Sequence, residues 1–307
     1  MDSAWIVAEA EKLGFDACGI ARATALDEES SHVERWLAEE REGEMAYLTR
    51  NKEKRYDPRL LVEGTKSIVT VLYNYFPKQI IGDGEHFKIA KYAYGADYHD
   101  VLKNKMRQLL ERIETQTGKL EGTRVFVDSA PVLDRAWAVR CGLGFIGKNT
   151  TLIHPKKGSF LFIGHLFLPI ELNATGKPLS NHCGNCTKCI DACPTGALES
   201  PFHIDARKCI SYLTIENKGS LDGLDPKTFK GWMYGCDICQ DVCPYNRFSL
   251  PNMETEFQPS EQLLAMHEND WKNLTKQDFD MLFKHSAVQR ADYTGLKRNI
   301  DFISKES

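Results

Sequence analysis

Apolar side chains recur at three- and four-residue intervals over residues 3–13 and again over 31–41, the pattern of helices with one buried face. The period then changes. SIVTVLYNYF (67–76) is dense in β-branched and aromatic residues and predicts a strand, as does the segment 123–128, which ends on Asp128. A long helical pattern fills 100–117, and PVLDRAWAVR (131–140) predicts another helix with proline in its first turn. SFLFIGHLFLPIEL (159–172) supplies a further strand region. Helices interleaved with strands predict an α/β (α+β) body.

Near ATGKPLSNH (174–182) the texture turns polar and rich in turn formers, and from there to residue 243 cysteines dominate. We therefore divide the chain into 1–175, 176–250 and a short helical segment 251–307, in which EQLLAMHEND and KQDFDMLFKHS read as helices. The 307 residues suit roughly two domains of about 150 residues each.

Composition narrows the class. At 42% hydrophobic and 27% charged residues the chain can bury a core, and no run approaches the roughly 20 apolar residues of a membrane span. The N-terminus, MDSAWIVAEAEKLGFD, is acidic and amphipathic rather than a basic lead into an apolar stretch. A cytoplasmic protein without membrane contact is expected. The net charge of -4 confines any nucleic-acid contact to local basic patches. The candidates are Lys52, Lys54, Arg55 and Arg59, then Lys156 and Lys157, then Lys297 and Arg298.

Ten cysteines in such a chain point to metal rather than disulfides. Residues 183–194 read CGNCTKCIDACP, the bacterial ferredoxin run in which three thiolates wrap one 4Fe-4S cluster and the fourth serves a second. The second run, CDICQDVCP (236–244), lacks its first cysteine because Met233 stands there, and Cys209 completes the count. The ligands then divide into Cys183, Cys186, Cys189 and Cys243 for one cluster and Cys193, Cys209, Cys236 and Cys239 for the other. Zinc also uses paired Cys-x2-Cys units, but three thiolates at two-residue spacing before Cys-Pro favour iron and sulfur. Cys18 and Cys141, on apolar ground that reads as helical, are expected in the core.

CGLGFIGKNT (141–150) mimics a dinucleotide loop through Gly142, Gly144 and Gly147, yet the required order of strand then helix is reversed. These glycines are expected to let backbone approach a flat ligand or another strand. Asp128, at a strand end before a helix, is either a functional side chain or the cap of that helix. Asp134 and Arg135 read as an exposed helix face. His99 lies in a near match to a cobalt-ligating motif, Asp-x-His-x-x-Gly, with Leu102 where glycine belongs, and is expected to be a core or motif residue.

VDSAPVLDRAWAVRCGLGFIGKNTTLIHPKKGSF, followed by the two cysteine runs with ISYLTIENKG between them, resembles the epoxyqueuosine reductases, as do KRYDPRLL, YAYGADYH and TGLKRNI. The resemblance implies a base-off cobalamin between the N-terminal domain and the ferredoxin-like module, fed by two 4Fe-4S clusters. It implies reduction of the epoxide of epoxyqueuosine in the anticodon loop of tRNA, with an unidentified low-potential electron donor and a monomeric enzyme. Asp128 matches the proposed proton donor, and Arg55, Ser211, Lys218 and Asp237, with Asp128, fall in segments like the corrinoid-lining stretches. Many relatives continue into a helical-repeat domain beyond the position of Ser307. Two other readings stand beside this one: a cobalamin-dependent reductive dehalogenase, and a ferredoxin-type electron carrier, against which the long stretch before Cys183 argues.

Overall fold

Residues 2–81 and 86–306 are described by the computed structural model. Alternating apolar residues build the central sheet, whose strands run in the order Ala17–Arg22, Ser67–Asn74, Leu161–Leu168, Arg124–Phe126, every neighbour antiparallel. Both faces are covered. Val69, Val71, Leu166 and Leu168 point to one side and pack with Ile6 and Ala10 of helix Ser3–Lys12 and Leu102 and Met106 of helix Tyr98–Thr117. Ile68, Leu72 and Phe167 point to the other and meet Trp137 and Ala138 of helix Asp134–Arg140. Each such side chain contributes about 1.5–3 kcal/mol on leaving water. An antiparallel sheet between helical layers is an α+β body, as the interleaved pattern predicted.

The second half is built around a short parallel pair, Lys88–Ile89 with Trp232–Tyr234. Met233, where a ligand cysteine would have stood, is fully buried in this pair. Its core combines residues from 81–94, 206–234 and 263–303, so the C-terminal helices share a single core with the cysteine-bearing segment. Helix Asp292–Ile303 fastens them together: buried Asn299 donates Nδ2 to the carbonyls of Thr214 (2.8 Å) and Met233 (2.9 Å).

Two local expectations are corrected. Cys18 lies on strand Ala17–Arg22, not on a helix, because a short apolar run between turns carries no period that separates the two. It is nevertheless core, as is Cys141 at the end of helix Asp134–Arg140. The helix expected at 31–41 runs Asp27–Ala38, its start marked by Asp27, Glu28 and Glu29, acids that favour the positive end of the helix dipole.

Candidate functional site

Asp128 follows the edge strand Arg124–Phe126 and takes a left-handed backbone, φ 55°, a conformation Asp tolerates better than most residues. It caps no helix. The helix after it begins only at Asp134, behind an N-cap at Leu133. Its carboxylate instead meets the start of helix Tyr98–Thr117: Tyr98 Oη donates to Oδ2, and His99 Nε2 lies 3.5 Å from the same oxygen. Asp97, the N-cap of that helix, accepts from His99 N (2.9 Å) and from His99 Nδ1 (2.7 Å). Both imidazole nitrogens therefore face carboxylates.

The charges follow from this geometry. Partial burial opposes a charge on His99, but Asp128 and Asp97 outweigh it and lift the imidazole to about 9. Although the Asp128 side chain is 62% exposed, the surrounding walls desolvate it and act to raise its pKa. Hydrogen bonds from His99 and Tyr98 override them and hold the carboxyl below its ordinary value. A carboxyl raised by burial, the expectation for a lone acid, is replaced by a cationic imidazole behind an ionised Asp128. Arg135, whose Nη1 donates to the Thr150 carbonyl (2.5 Å), adds positive potential on Asp128.

Beneath the same cleft, Asp134 is not an outward face. Its Oδ1 lies 3.2 Å from Nε2 of His165, which is fully buried and bonded through Nδ1 to Thr70 Oγ1 at 2.9 Å. Strand alternation explains this, since His165 and Thr70 sit opposite one another in register on the face toward helix Asp134–Arg140. Arg55 is 8% exposed and gives Nη2 to the Tyr47 carbonyl, while its Nε has no partner. Such an orphaned buried donor is a place where a ligand's acceptor fits. Tyr47 in turn feels Glu216 and Arg290 from the cysteine-bearing half and Asp128 and Arg55 from the sheet half, so it stands in the cleft between the two.

The remaining sequence candidates separate. Ser211 is half-buried in the first turn of helix Ile210–Ile215. Exposed Lys218 spends Nζ on the Arg290 carbonyl (3.0 Å). Asp237 departs from its expected role: it is 2% exposed, and its Oδ2 accepts from Lys91 N (2.8 Å) with Lys91 Nζ at 3.4 Å. Burial pushes its carboxyl up to about 6 against the pull of Lys91. The basic patches also thin out. Arg298 binds the carbonyls of Leu213, Asn217 and Gly219, and Lys297 that of Lys272.

Cys183, Cys186, Cys189 and Cys243 line one cavity of about 220 Å³ with Lys148, His182 and Tyr245, far more room than a single ion needs. Cys193, Cys209, Cys236 and Cys239 lie within electrostatic reach of one another. Burial raises the Cys209, Cys236 and Cys239 thiols, and all eight cysteines are half-buried. The glycine loop, as expected, serves backbone approach rather than nucleotide: a Cβ on Gly144 would stand 2.4 Å from the Ile153 carbonyl oxygen. Sequence reading missed what the loop carries. Lys148 Nζ donates to the carbonyls of Gly184 (2.6 Å) and Cys186 (3.0 Å), and Asn149 Nδ2 to that of Cys239 (3.2 Å), so its tip anchors both cysteine runs.

Comparison with known proteins accounts for this pairing of acid cleft and cysteine cavities. Residues 55–129 match the family "Epoxyqueuosine reductase QueG, DUF1730" and 182–246 match a "4Fe-4S double cluster binding domain". An epoxyqueuosine reductase of Cellulophaga algicola is 49% identical over 97% of this chain and 96% of its own length, and one of Pseudomonas aeruginosa 39% over 94% and 81%. The solved epoxyqueuosine reductase of Streptococcus thermophilus superposes with a TM-score of 0.86 at 31% identity, covering 98% of this chain and 80% of that one. A crystal structure of an epoxyqueuosine reductase with an epoxyqueuosine-modified stem loop of tyrosine tRNA gives 0.85 at 29%, with the same coverage. Full-length identity at this level leaves no room for a stand-alone ferredoxin, and the chain belongs to the epoxyqueuosine reductase family.

Proposed function

We infer that the protein reduces the epoxide of epoxyqueuosine in tRNA to give queuosine, drawing electrons through two 4Fe-4S clusters. The observation that carries the mechanism is the trio at the cleft: an open, ionised Asp128 backed by a protonated His99 and by Tyr98. Conversion of an epoxide to an alkene takes two electrons and two protons, the oxygen leaving as water; the first proton meets the alkoxide as the ring opens. Cobalamin, when bound, supplies the strongly reducing centre. Arg55, through its free Nε, and half-buried Ser211 are the residues we assign to holding it, and Asp237 is withdrawn from that set.

The chain's own residues manage the proton. As alkoxide character develops on the epoxide oxygen, Asp128 passes on a proton that His99 Nε2 supplies, and Asp97 keeps the imidazole oriented through Nδ1. Tyr98 Oη fixes Oδ2 in place. For electrons, the eight-cysteine division into Cys183, Cys186, Cys189, Cys243 and Cys193, Cys209, Cys236, Cys239 is supported by the shared cavity of the first set and the mutual proximity of the second. The substrate is tRNA, read as engaged at its anticodon loop and supported by the relative crystallised with an epoxyqueuosine-modified tRNA stem loop, and the enzyme is read as a monomer served by a separate low-potential donor. Anaerobic turnover of an epoxyqueuosine-bearing stem loop by the cobalamin-loaded protein tests the reading; no queuosine formed with both clusters intact would sink it.

A further inference from the structure

The outer cavity has a charge environment unlike the rest of the molecule. Three segments meet around it: Asn181 Nδ2 binds the Ile146 carbonyl, Tyr245 Oη the His182 carbonyl, and Ser249 Oγ the Lys157 carbonyl. Over 146–158, 172–190 and 243–253 these segments contain lysines and an arginine but no Asp or Glu, in a chain whose net charge is -4. Lys188 lines the cavity itself and is exposed, as are Lys177 and Arg247. Beside them are apolar side chains in water: Phe248, 41% exposed with the Arg247 guanidinium over its ring at 4.6 Å, and Leu250, 73% exposed.

We propose that this basic collar docks an acidic one-electron carrier protein, which delivers electrons to the cluster in the outer cavity. The proposal rests on the reading that the cavity holds a 4Fe-4S cluster. Each encounter oxidises the carrier by one electron and reduces the outer cluster by one, so two encounters supply one epoxide. The half-buried thiols of this set line a cavity of about 220 Å³, and electrons tunnel best from a partner seated directly over it. A cationic surface with exposed apolar side chains beside it suits a steered, short-lived protein encounter. RNA is the other polyanion this protein meets, but phosphates have no use for exposed Phe248 and Leu250, and Lys188 lines the cavity of the outer thiols.

The test uses cluster-reconstituted protein carrying Lys156→Glu, Lys177→Glu and Arg247→Glu together, three exposed cations outside the cavity lining, with Lys276→Glu on the C-terminal helices as control. Stopped-flow reduction by a pre-reduced acidic ferredoxin should slow about tenfold or more at low ionic strength, and the difference should fade as salt screens the charges. Reduction by methyl viologen radical, a cation, should be as fast as in the unaltered protein or faster, which reports intact clusters. Unchanged ferredoxin kinetics in the triple variant would overturn the proposal, as would a stem loop whose affinity collapses in that variant while ferredoxin reduction is preserved. Iron content and viologen-driven turnover of epoxyqueuosine read the underlying function separately, so its failure would be seen there and not mistaken for failure of docking.

Discussion

Asp128 shows what one residue's surroundings decide. As a strand-end acid before a helix it was legible in the sequence, but its two readings were not separable there, because the helix start could not be placed to within three residues. With the helix beginning at Asp134 the capping role lapses. Asp128→Asn keeps the shape but offers no transferable proton, so turnover should fall by about a hundredfold or more with both clusters retained, as single-turnover product assays and visible spectra would register; near-normal turnover would dismiss the acid. Its partners Tyr98 and His99 were invisible as partners, being 30 and 29 residues away in sequence. They also set a pH window. His99 is raised from 6.5 to about 9, so its contribution to stability is fully present below about 6.5 and is lost as pH rises through about 9. Asp128 and Asp97 are lowered, so theirs is present above the ordinary carboxylate range and is lost as pH falls through their depressed values. Turnover should accordingly decline on the alkaline side near pH 9, and His99→Gln should remove that limb from the pH–rate profile; an unchanged limb would detach His99 from the proton path. Asp134, which patterning assigned to an exposed face, has a different consequence: its Oδ1 and His165 Nε2 stand 3.2 Å apart without a hydrogen bond, so Asp134→Leu removes a buried oxygen that is already unpaired and should leave denaturant unfolding within about 1 kcal/mol of the unaltered protein.

At the scale of elements, long periodic segments were readable and short ones were not. Helix Tyr98–Thr117 and the strands Ser67–Asn74 and Leu161–Leu168 fall inside the ranges that patterning gave or begin within two residues of them. Strand Ala17–Arg22 escaped because five apolar or small residues before Arg22 suit either state, and only its pairing with Ser67–Asn74 decides the matter. The cysteine module was legible for another reason: ligand spacing is a covalent constraint written directly in sequence, whereas the anchoring of both runs by Lys148 and Asn149 depends on a hairpin 36–90 residues distant. Helix Ile210–Ile215 joins the two regimes, with Cys209 as its N-cap. Cys209→Ser should abolish the spectroscopic signal of one cluster and leave the other, and retention of both would show the ligand count to be wrong. Asn299→Ala removes the donor to two buried carbonyls and should destabilise the fold by about 1–3 kcal/mol, measurable by thermal unfolding.

For the whole molecule, reconstituted protein should carry about eight irons, as two four-iron clusters require; stoichiometric zinc without iron would contradict the assignment. Stem-loop binding should weaken steeply with salt, because phosphate neutralisation releases counterions, and a flat salt titration would remove electrostatics from tRNA recognition. The boundary placed near 250 in the sequence marks a change of texture but not of packing, since polar helices after it close on the same core as the cysteine segment. Patterning sees only composition along the chain, and a core assembled from 81–94, 206–234 and 263–303 has no local signature. That shared core imposes an order on biogenesis. The carbonyls of Thr214 and Met233 wait for Asn299, and those of Leu213 and Asn217 wait for Arg298, so a ribosome that has released every cysteine has still not released the residues that lock their scaffold. Iron and sulfur are therefore best received once residues 292–303 have emerged and closed on the core, and a nascent polypeptide stalled before residue 292 would present its thiols to the cell on a scaffold not yet locked.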